Sequence, residues 1–151
     1  PRDSSQRPAR AGPGSSASAS AQAKVTVKKA IKITWVRDLQ FLEAIQGDGP
    51  DTVLASAANA AQFTVTGQKS AFFNVVFLQP AGIDMVRSGG SSSNPNDIIS
   101  VINFSSNMGA SGTLDLSGQA TLQVGADRAA LTPNQNDGEY AGSFGVQVVY
   151  P

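Results

Sequence analysis

The sequence contains neither cysteine nor histidine among its 151 residues. Without cysteine there can be no disulfide and no thiol nucleophile, and without histidine there is no imidazole to act as a general base or to bind zinc. These two absences remove most hydrolase mechanisms and the usual zinc sites. We therefore expect no catalytic residue, no cofactor and no metal, and a protein that is not an enzyme.

Net charge and long apolar runs are missing as well. Eleven basic residues balance eleven acidic ones, whereas nucleic-acid binding generally requires an excess of basic residues. A membrane helix needs about 18 or more consecutive apolar residues, and the longest candidate, residues 71–78, is interrupted by Asn74. We expect neither a nucleic-acid partner nor insertion into a membrane.

Carboxylates and serines occur in small groups that lack the further ligands needed for metal binding or the histidine needed for catalysis. The pairs Asp48 with Asp51 and Asp137 with Glu139 lie in turn-rich sequence, and calcium requires about six to eight oxygen ligands. The serines at 91–93 have no histidine to activate them. We interpret both groups as solvated turn and loop residues.

The N-terminal part of the chain divides into two segments of different composition. Residues 1–14 contain three prolines and three arginines, which predicts a flexible leader without a core. The chain begins at Pro1 with no apolar signal-peptide core, as expected of a precursor already cut upstream, although a cloning boundary would look the same.

The second segment, residues 15–29, shows the two-residue period of a β-strand. Small apolar side chains alternate there with serine, glutamine, lysine and threonine until Lys29 interrupts the pattern, so we expect two strand segments, 16–27 and 30–36, joined at a bulge or junction. A flexible linker or a signal-cleavage region is the alternative interpretation. The apolar positions of this candidate donor strand are Ala17, Ala19, Ala21, Ala23, Val25 and Val27.

The remainder, residues 30–151, predicts an all-β domain. Short β-branched or aromatic runs are separated by clusters of glycine, asparagine, aspartate and proline, which is typical of a β-sandwich. Two runs with helix-forming composition, 39–45 and 55–61, are long enough for a single turn each. Beyond residue 36, we expect strands near 53–56, 62–66, 70–79, 98–104, 112–116, 120–124 and 143–150.

Four short motifs carry a resemblance to known families. They are residues 38–41 (DLQF), 63–67 (FTVTG), Val124-Gly125 and the closing run from Gly138 through Tyr140 and Gly142 to Tyr150. Together they make residues 23–150 similar to a bacterial secreted domain family of unassigned function, and to archaic chaperone–usher pilins of the spore-coat-U type. Tyr140 resembles the corner tyrosine of immunoglobulin-like sandwiches.

The resemblance implies a fold and a mode of assembly. Such pilins are incomplete immunoglobulin-like β-sandwiches that lack the last strand, and the N-terminal extension of the next subunit is the donor strand that fills the gap. The resemblance thus implies a secreted subunit that crosses the periplasm and joins copies of itself in a surface filament, with a periplasmic chaperone and an outer-membrane usher as further partners. The residues expected in the terminal strand and groove are Phe144, Val146, Val148 and Tyr150.

Two other functions remain open from the sequence. In the first, residues 17–27 close their own domain and the protein is a self-complete secreted adhesion or binding module. In the second, the protein is a periplasmic or capsid-like decoration protein. The pairing of residues 17–27, within their own chain or with another, distinguishes the first alternative from the fibre subunit.

Overall fold

The computed structural model describes residues 15–151, and this part of the chain is built from antiparallel β-strands and one short 3₁₀ helix, Pro95–Asp97. It contains no α-helix within these residues. The predicted leader, residues 1–14, lies outside the described residues. The strands are β1 (Lys32–Arg37), β2 (Asp51–Val53), β3 (Ala61–Thr66), β4 (Phe72–Phe77), β5 (Ile83–Arg87), β6 (Ile98–Ser106), β7 (Ser111–Thr113), β8 (Gln119–Arg128), β9 (Tyr140–Ala141) and β10 (Val146–Val149).

The strands form two sheets that face each other across one core. The larger sheet has the order β1-β3-β8-β6-β5-β9, with β2 also paired to β8, and the smaller has the order β10-β4-β7. Both sheets contribute alternate apolar side chains to the core, so the predicted all-β sandwich is confirmed. The buried residues of the main cluster are Ala61, Val65, Phe73, Val75, Leu114, Leu122, Val124 and Val148.

Several predicted elements differ from the structure. Strand β5 was not expected, because Asp84 and Arg87 interrupt the apolar pattern of its five residues. The single turn expected at 39–45 was wrong, because that run has no regular structure, whereas 55–61 contains hydrogen-bonded turns. Each run is too short for a stable helix.

The N-terminal segment also differs from its prediction. A strand was expected over 16–27, yet residues 15–31 belong to no strand and β1 starts at Lys32. The reason is that no other strand of the described chain lies beside this segment, and a strand requires a hydrogen-bonded neighbour. At Lys29, where a bulge or junction was predicted, the backbone is hydrogen-bonded to the side chains of Gln68 and Tyr150.

Two glycines of the closing motifs occupy positions where the backbone of another strand approaches closely. A Cβ atom on Gly125 would lie 2.1 Å from the carbonyl oxygen of Val53, and one on Gly142 would lie 2.7 Å from that of Asp84. Any side chain at either position would push two strands apart. These motif residues therefore have a packing role in the fold.

Tyr140 holds the corner at which the chain leaves the large sheet. Its hydroxyl group lies within hydrogen-bond distance of the carbonyl oxygens of Asn96 and Asn136, the second of which is four residues upstream. Gln135 donates to the same hydroxyl at 3.1 Å. This is the arrangement of a tyrosine corner, so that prediction is confirmed.

A buried carboxylate fastens the loop that follows β5. Asp97, 3% exposed, accepts hydrogen bonds from Arg87 Nε and Asn136 Nδ2, both at 2.7 Å, and from the backbone N–H of Ser91 at 3.0 Å. Because these donors favour the ionised form, with Arg87 the main cause, they lower the pKa of Asp97 from 3.8 to about 2.

The lowered pKa of Asp97 predicts a specific acid dependence of stability. A depressed folded-state pKa contributes stability above the unfolded value, near 3.8, and that contribution is lost as the pH falls towards about 2. In thermal unfolding at pH 7, 4, 3 and 2, we expect Asp97→Asn to be less stable than the wild type at pH 7 and the difference to shrink below pH about 4. The exposed Asp137→Asn is the control, and an unchanged difference across this range would refute the interpretation.

Candidate functional site

The N-terminal extension, residues 15–30, lies outside the two sheets. It contains no strand, helix, turn or bend, and every residue in it is exposed. Val25 and Val27 are 83% and 82% exposed, although both are apolar. The six predicted donor residues thus lie on one continuous segment, and none of them contacts the core.

The extension is fastened to the sandwich at its end. The backbone N–H of Lys29 donates to Gln68 Oε1 at 3.1 Å, the hydroxyl of Tyr150 donates to the carbonyl of Lys29, and Lys28 Nζ lies 5.0 Å from the centre of the Tyr150 ring. From there the chain passes through Ala30 and Ile31 directly into β1. Residues 28–31 include no glycine, proline, asparagine or aspartate, the residues that reverse a chain.

One edge of β10 carries unpaired backbone groups. Among the described residues β10 pairs with β4 alone. Leu78 N–H donates to Gly145 O at 2.9 Å, whereas Val75 N–H points the other way, to Ala110 O. Because hydrogen-bonded positions alternate along an antiparallel pair, the N–H and C=O groups of Val146 and Val148 point away from β4, towards the open side.

A shallow apolar groove lies on that open side, between β1 of the large sheet and β10 of the small one. These two strands approach each other without pairing. A cavity of about 150 Å³ lies at one end of the groove, next to Trp35 and Leu39. The half-buried residues that pack on the core here, and that define the β1–β10 groove, are Ile31, Ile33, Phe63, Phe144 and Val146.

Aromatic rings fill the space beneath the groove. The ring of Phe104 lies 4.7 Å from that of Phe144 and 6.0 Å from that of Phe77, measured between centroids. All three rings pack against the buried core cluster.

The structure brings the predicted terminal-strand residues together. Val146 and Val148 lie on β10, flanked by Phe144 and Tyr150, and their side chains point inward. The donor residues, in contrast, are not brought to this groove within the same chain. The sequence did not identify the residues on the β1 and β3 side of the groove, which are Ile31, Ile33 and Phe63. Their apolar alternation is visible in the sequence, but the same pattern is expected of core residues and of groove residues.

The two ends of the sandwich carry opposite charge. The end where the extension leaves, the N-terminal pole, is marked by Ile31, Gln68 and Tyr150. The other end, the cleft pole, is marked by Arg128 and Gln135, where β8 finishes. Lysines 28, 29, 32 and 69 lie at the N-terminal pole with a single carboxylate, Asp115, whereas Glu43, Asp48, Asp51, Asp137 and Glu139 lie at the cleft pole.

Metal ligands and membrane-spanning elements were also sought in residues 15–151. No three acidic side chains of this part of the chain lie close enough together to hold a metal ion. None of its helices has the length and apolar character needed to cross a bilayer.

Comparison with known proteins gives one informative result. No curated protein and no solved structure matches the chain. The profile of a domain of unknown function, DUF4402, matches residues 14–150. This match extends over the N-terminal extension, both sheets and the groove between β1 and β10. The chain therefore belongs to the DUF4402 family of domains of unknown function.

Proposed function

We propose that the protein is a structural subunit of an extracellular fibre in which the N-terminal extension of one copy fills the β1–β10 groove of the next. One observation carries the proposal. Within the described residues, 15–151, the segment 15–27 is exposed, has the side-chain period of a strand and pairs with no strand, and the outer edge of β10 also pairs with none. Each supplies what the other lacks.

Addition of a strand to β10 would pair the free backbone groups of Val146 and Val148. Main-chain hydrogen bonds then provide affinity and alternate side chains provide register, as in other cases of strand addition. Burial of a valine contributes about 1.5–3 kcal/mol and a methyl-sized group about 0.8 kcal/mol. Val25 and Val27 would thus contribute most of the apolar energy, and the alanines would fit the shallow part.

An antiparallel alignment on β10 is compatible with the side-chain pattern of both segments. If Val25 lies opposite Val146, then Ala23 lies opposite Val148 and Ala21 opposite Tyr150. All of these side chains face the core in that register, while the serines and lysines of the extension face solvent. The free backbone groups of β10 face the donor in the same register.

The antiparallel direction also brings opposite poles together. β10 runs from the cleft pole towards Tyr150, so an antiparallel donor would end, at Val27, near the cleft pole of its acceptor. Residues 28–31 span at most about 14 Å, which holds the two subunits in contact. The lysine-rich N-terminal pole of one copy would then face the carboxylates at the cleft pole of the other.

The alternative of a self-complete adhesion module requires the extension to fold back into its own groove. The straight path of residues 15–31 and the absence of turn-forming residues at 28–31 do not support that reversal. An open groove also favours unwanted association of strand edges. We therefore include in the proposal export through the periplasm, with a chaperone covering the groove and an usher receiving the subunit.

The donor face can be tested with a matched pair of substitutions. Val27→Asp places a carboxylate where the proposal buries an apolar side chain, whereas Thr26→Asp places the same charge on the solvent side. By light scattering on the full chain, we expect Val27→Asp to reduce the assembled fraction at least about tenfold, since an unpaired buried charge is costly. Thr26→Asp should assemble like the wild type, and equal behaviour of the two variants would contradict the proposed facing.

The acceptor edge can be tested with proline, which removes one backbone donor. Val146→Pro removes an N–H that points to the open edge, so the variant should fold but not assemble. Gln147→Pro removes an N–H that bonds β4, so it should lower the melting temperature of the monomer by several degrees. Assembly of a folded Val146→Pro variant would show that this edge does not receive the donor.

The direction of stacking can be read by cross-linking, because the native chain has no cysteine. Lys69→Cys marks the N-terminal pole and Glu139→Cys marks the cleft pole, and both positions are exposed. In fibres grown from an equal mixture, a short bifunctional maleimide should join 69 to 139. Links between two copies of 69 would mean that like poles meet, and the antiparallel register would then be wrong.

A further inference from the structure

A second concave site lies at the cleft pole, away from the β1–β10 groove. It is a cleft of about 630 Å³ between the segment 39–46 and the ends of β5, β6 and β8. This volume lies within the range of small-molecule sites, about 300–1,000 Å³. Its apolar walls are formed by Leu39, Phe41, Leu42, Met85, Ile99 and Leu131.

Arg128 is the cationic group of this cleft, and it is buried. The residue is 6% exposed and ends β8 on the same face as the core residues Leu122 and Val124. Its Nη1 donates to the carbonyl of Ala129 at 2.9 Å, but its Nε is buried and has no hydrogen-bond partner. Within residues 15–151, the ion pair found is Arg87 with Asp97, so Arg128 lacks a carboxylate partner there.

An isolated buried guanidinium is unfavourable. A buried charge without a partner costs several kcal/mol, and an unsatisfied donor costs about 1–3 kcal/mol. Arginine presents Nε and Nη2 as a planar pair of donors that matches the two oxygens of a carboxylate. Because Nη1 is already engaged with Ala129 and surrounding atoms cover Nε, a ligand carboxylate would engage the Nε–Nη2 donor pair with a shift of the Arg128 side chain towards the cleft.

The amide side chains that line the inner wall of the cleft, Gln135 and Asn136, are already engaged in the protein. The Gln135 side chain, 2% exposed, donates to the carbonyls of Asn96 and Ile98 and accepts from the backbone N–H of Thr132, and the backbone carbonyl of Gln135 accepts from Gln46 Nε2. Asn136 donates to Asp97. These bonds fix the wall in one arrangement, so Arg128 is the buried polar side chain left for a ligand.

We propose that this cleft binds a small organic monocarboxylate with an apolar body, which places its carboxylate on Arg128 and its hydrocarbon part against Met85, Ile99 and Leu131. A single buried cation balances one negative charge. The exposed carboxylates at the mouth, Glu43, Asp137 and Glu139, disfavour a doubly charged phosphate. The cleft and the cavity at the end of the groove share Leu39 and are otherwise lined by different residues, so the cleft is present in the unassembled subunit.

Hexanoate is a suitable probe, with the neutral hexanamide as its isosteric control. In calorimetric titration of the full chain, we expect hexanoate to bind in a saturable manner and hexanamide to bind at least about thirtyfold more weakly, which corresponds to about 2 kcal/mol. In NMR spectra, hexanoate should shift the Nε–H resonance of Arg128. Absence of that shift, or equal affinity for the two probes, would overturn the proposal.

Variants of Arg128 separate ligand binding from a structural role. Arg128→Met should lose hexanoate binding and yet raise the melting temperature of the free protein, since it removes an unpaired buried charge. Arg128→Lys retains the charge without the planar donor pair, so its affinity should be intermediate. Arg37→Gln, outside the cleft, is the control. A lower melting temperature of Arg128→Met with unchanged hexanoate binding would show that Arg128 serves the fold alone.

Discussion

The unpaired backbone groups along the outer edge of β10 are the constraint on which the rest of the architecture depends. A strand edge in the middle of a sandwich leaves N–H and C=O groups without partners and exposes the apolar residues beside them. Here the two sheets pack around one core, yet β1 and β10, which face each other across the groove, do not pair with each other. Within residues 15–151 no strand covers this edge, and in the proposed assembly the extension of another copy would cover it.

Most of the strands could be predicted from the sequence because a strand with one buried face alternates apolar and polar residues with a period of two. Strands β3, β4, β6 and β8 were expected close to their observed positions, since each carries several β-branched or aromatic residues. β5 could not be predicted because its stability comes from pairing with β6 and β9, and its charged residues mask the period. Residues 15–29 show the reverse: they have the period of a strand, but no strand of the described chain pairs with them.

The candidate site was predicted in part. The inward residues of β10 followed from alternation, and Tyr140 followed from its place at the start of the closing motif. The other wall of the groove could not be separated from the core, because Ile33 and Phe63 obey the same pattern whether a neighbour covers them or not. No sequence pattern identified Arg128 as a site residue, because the burial of a charged side chain at a strand end depends on how the segment 39–46 crosses the sheet.

The straight path from the extension into β1 has a mechanical consequence. A pulling force on residues 15–30 would act along β1, which is joined to β3 by hydrogen bonds perpendicular to the strand. Such a force loads the whole ladder in shear, so the bonds would have to fail together rather than one after another. A chain without a single disulfide can in this way resist tension through strand direction alone.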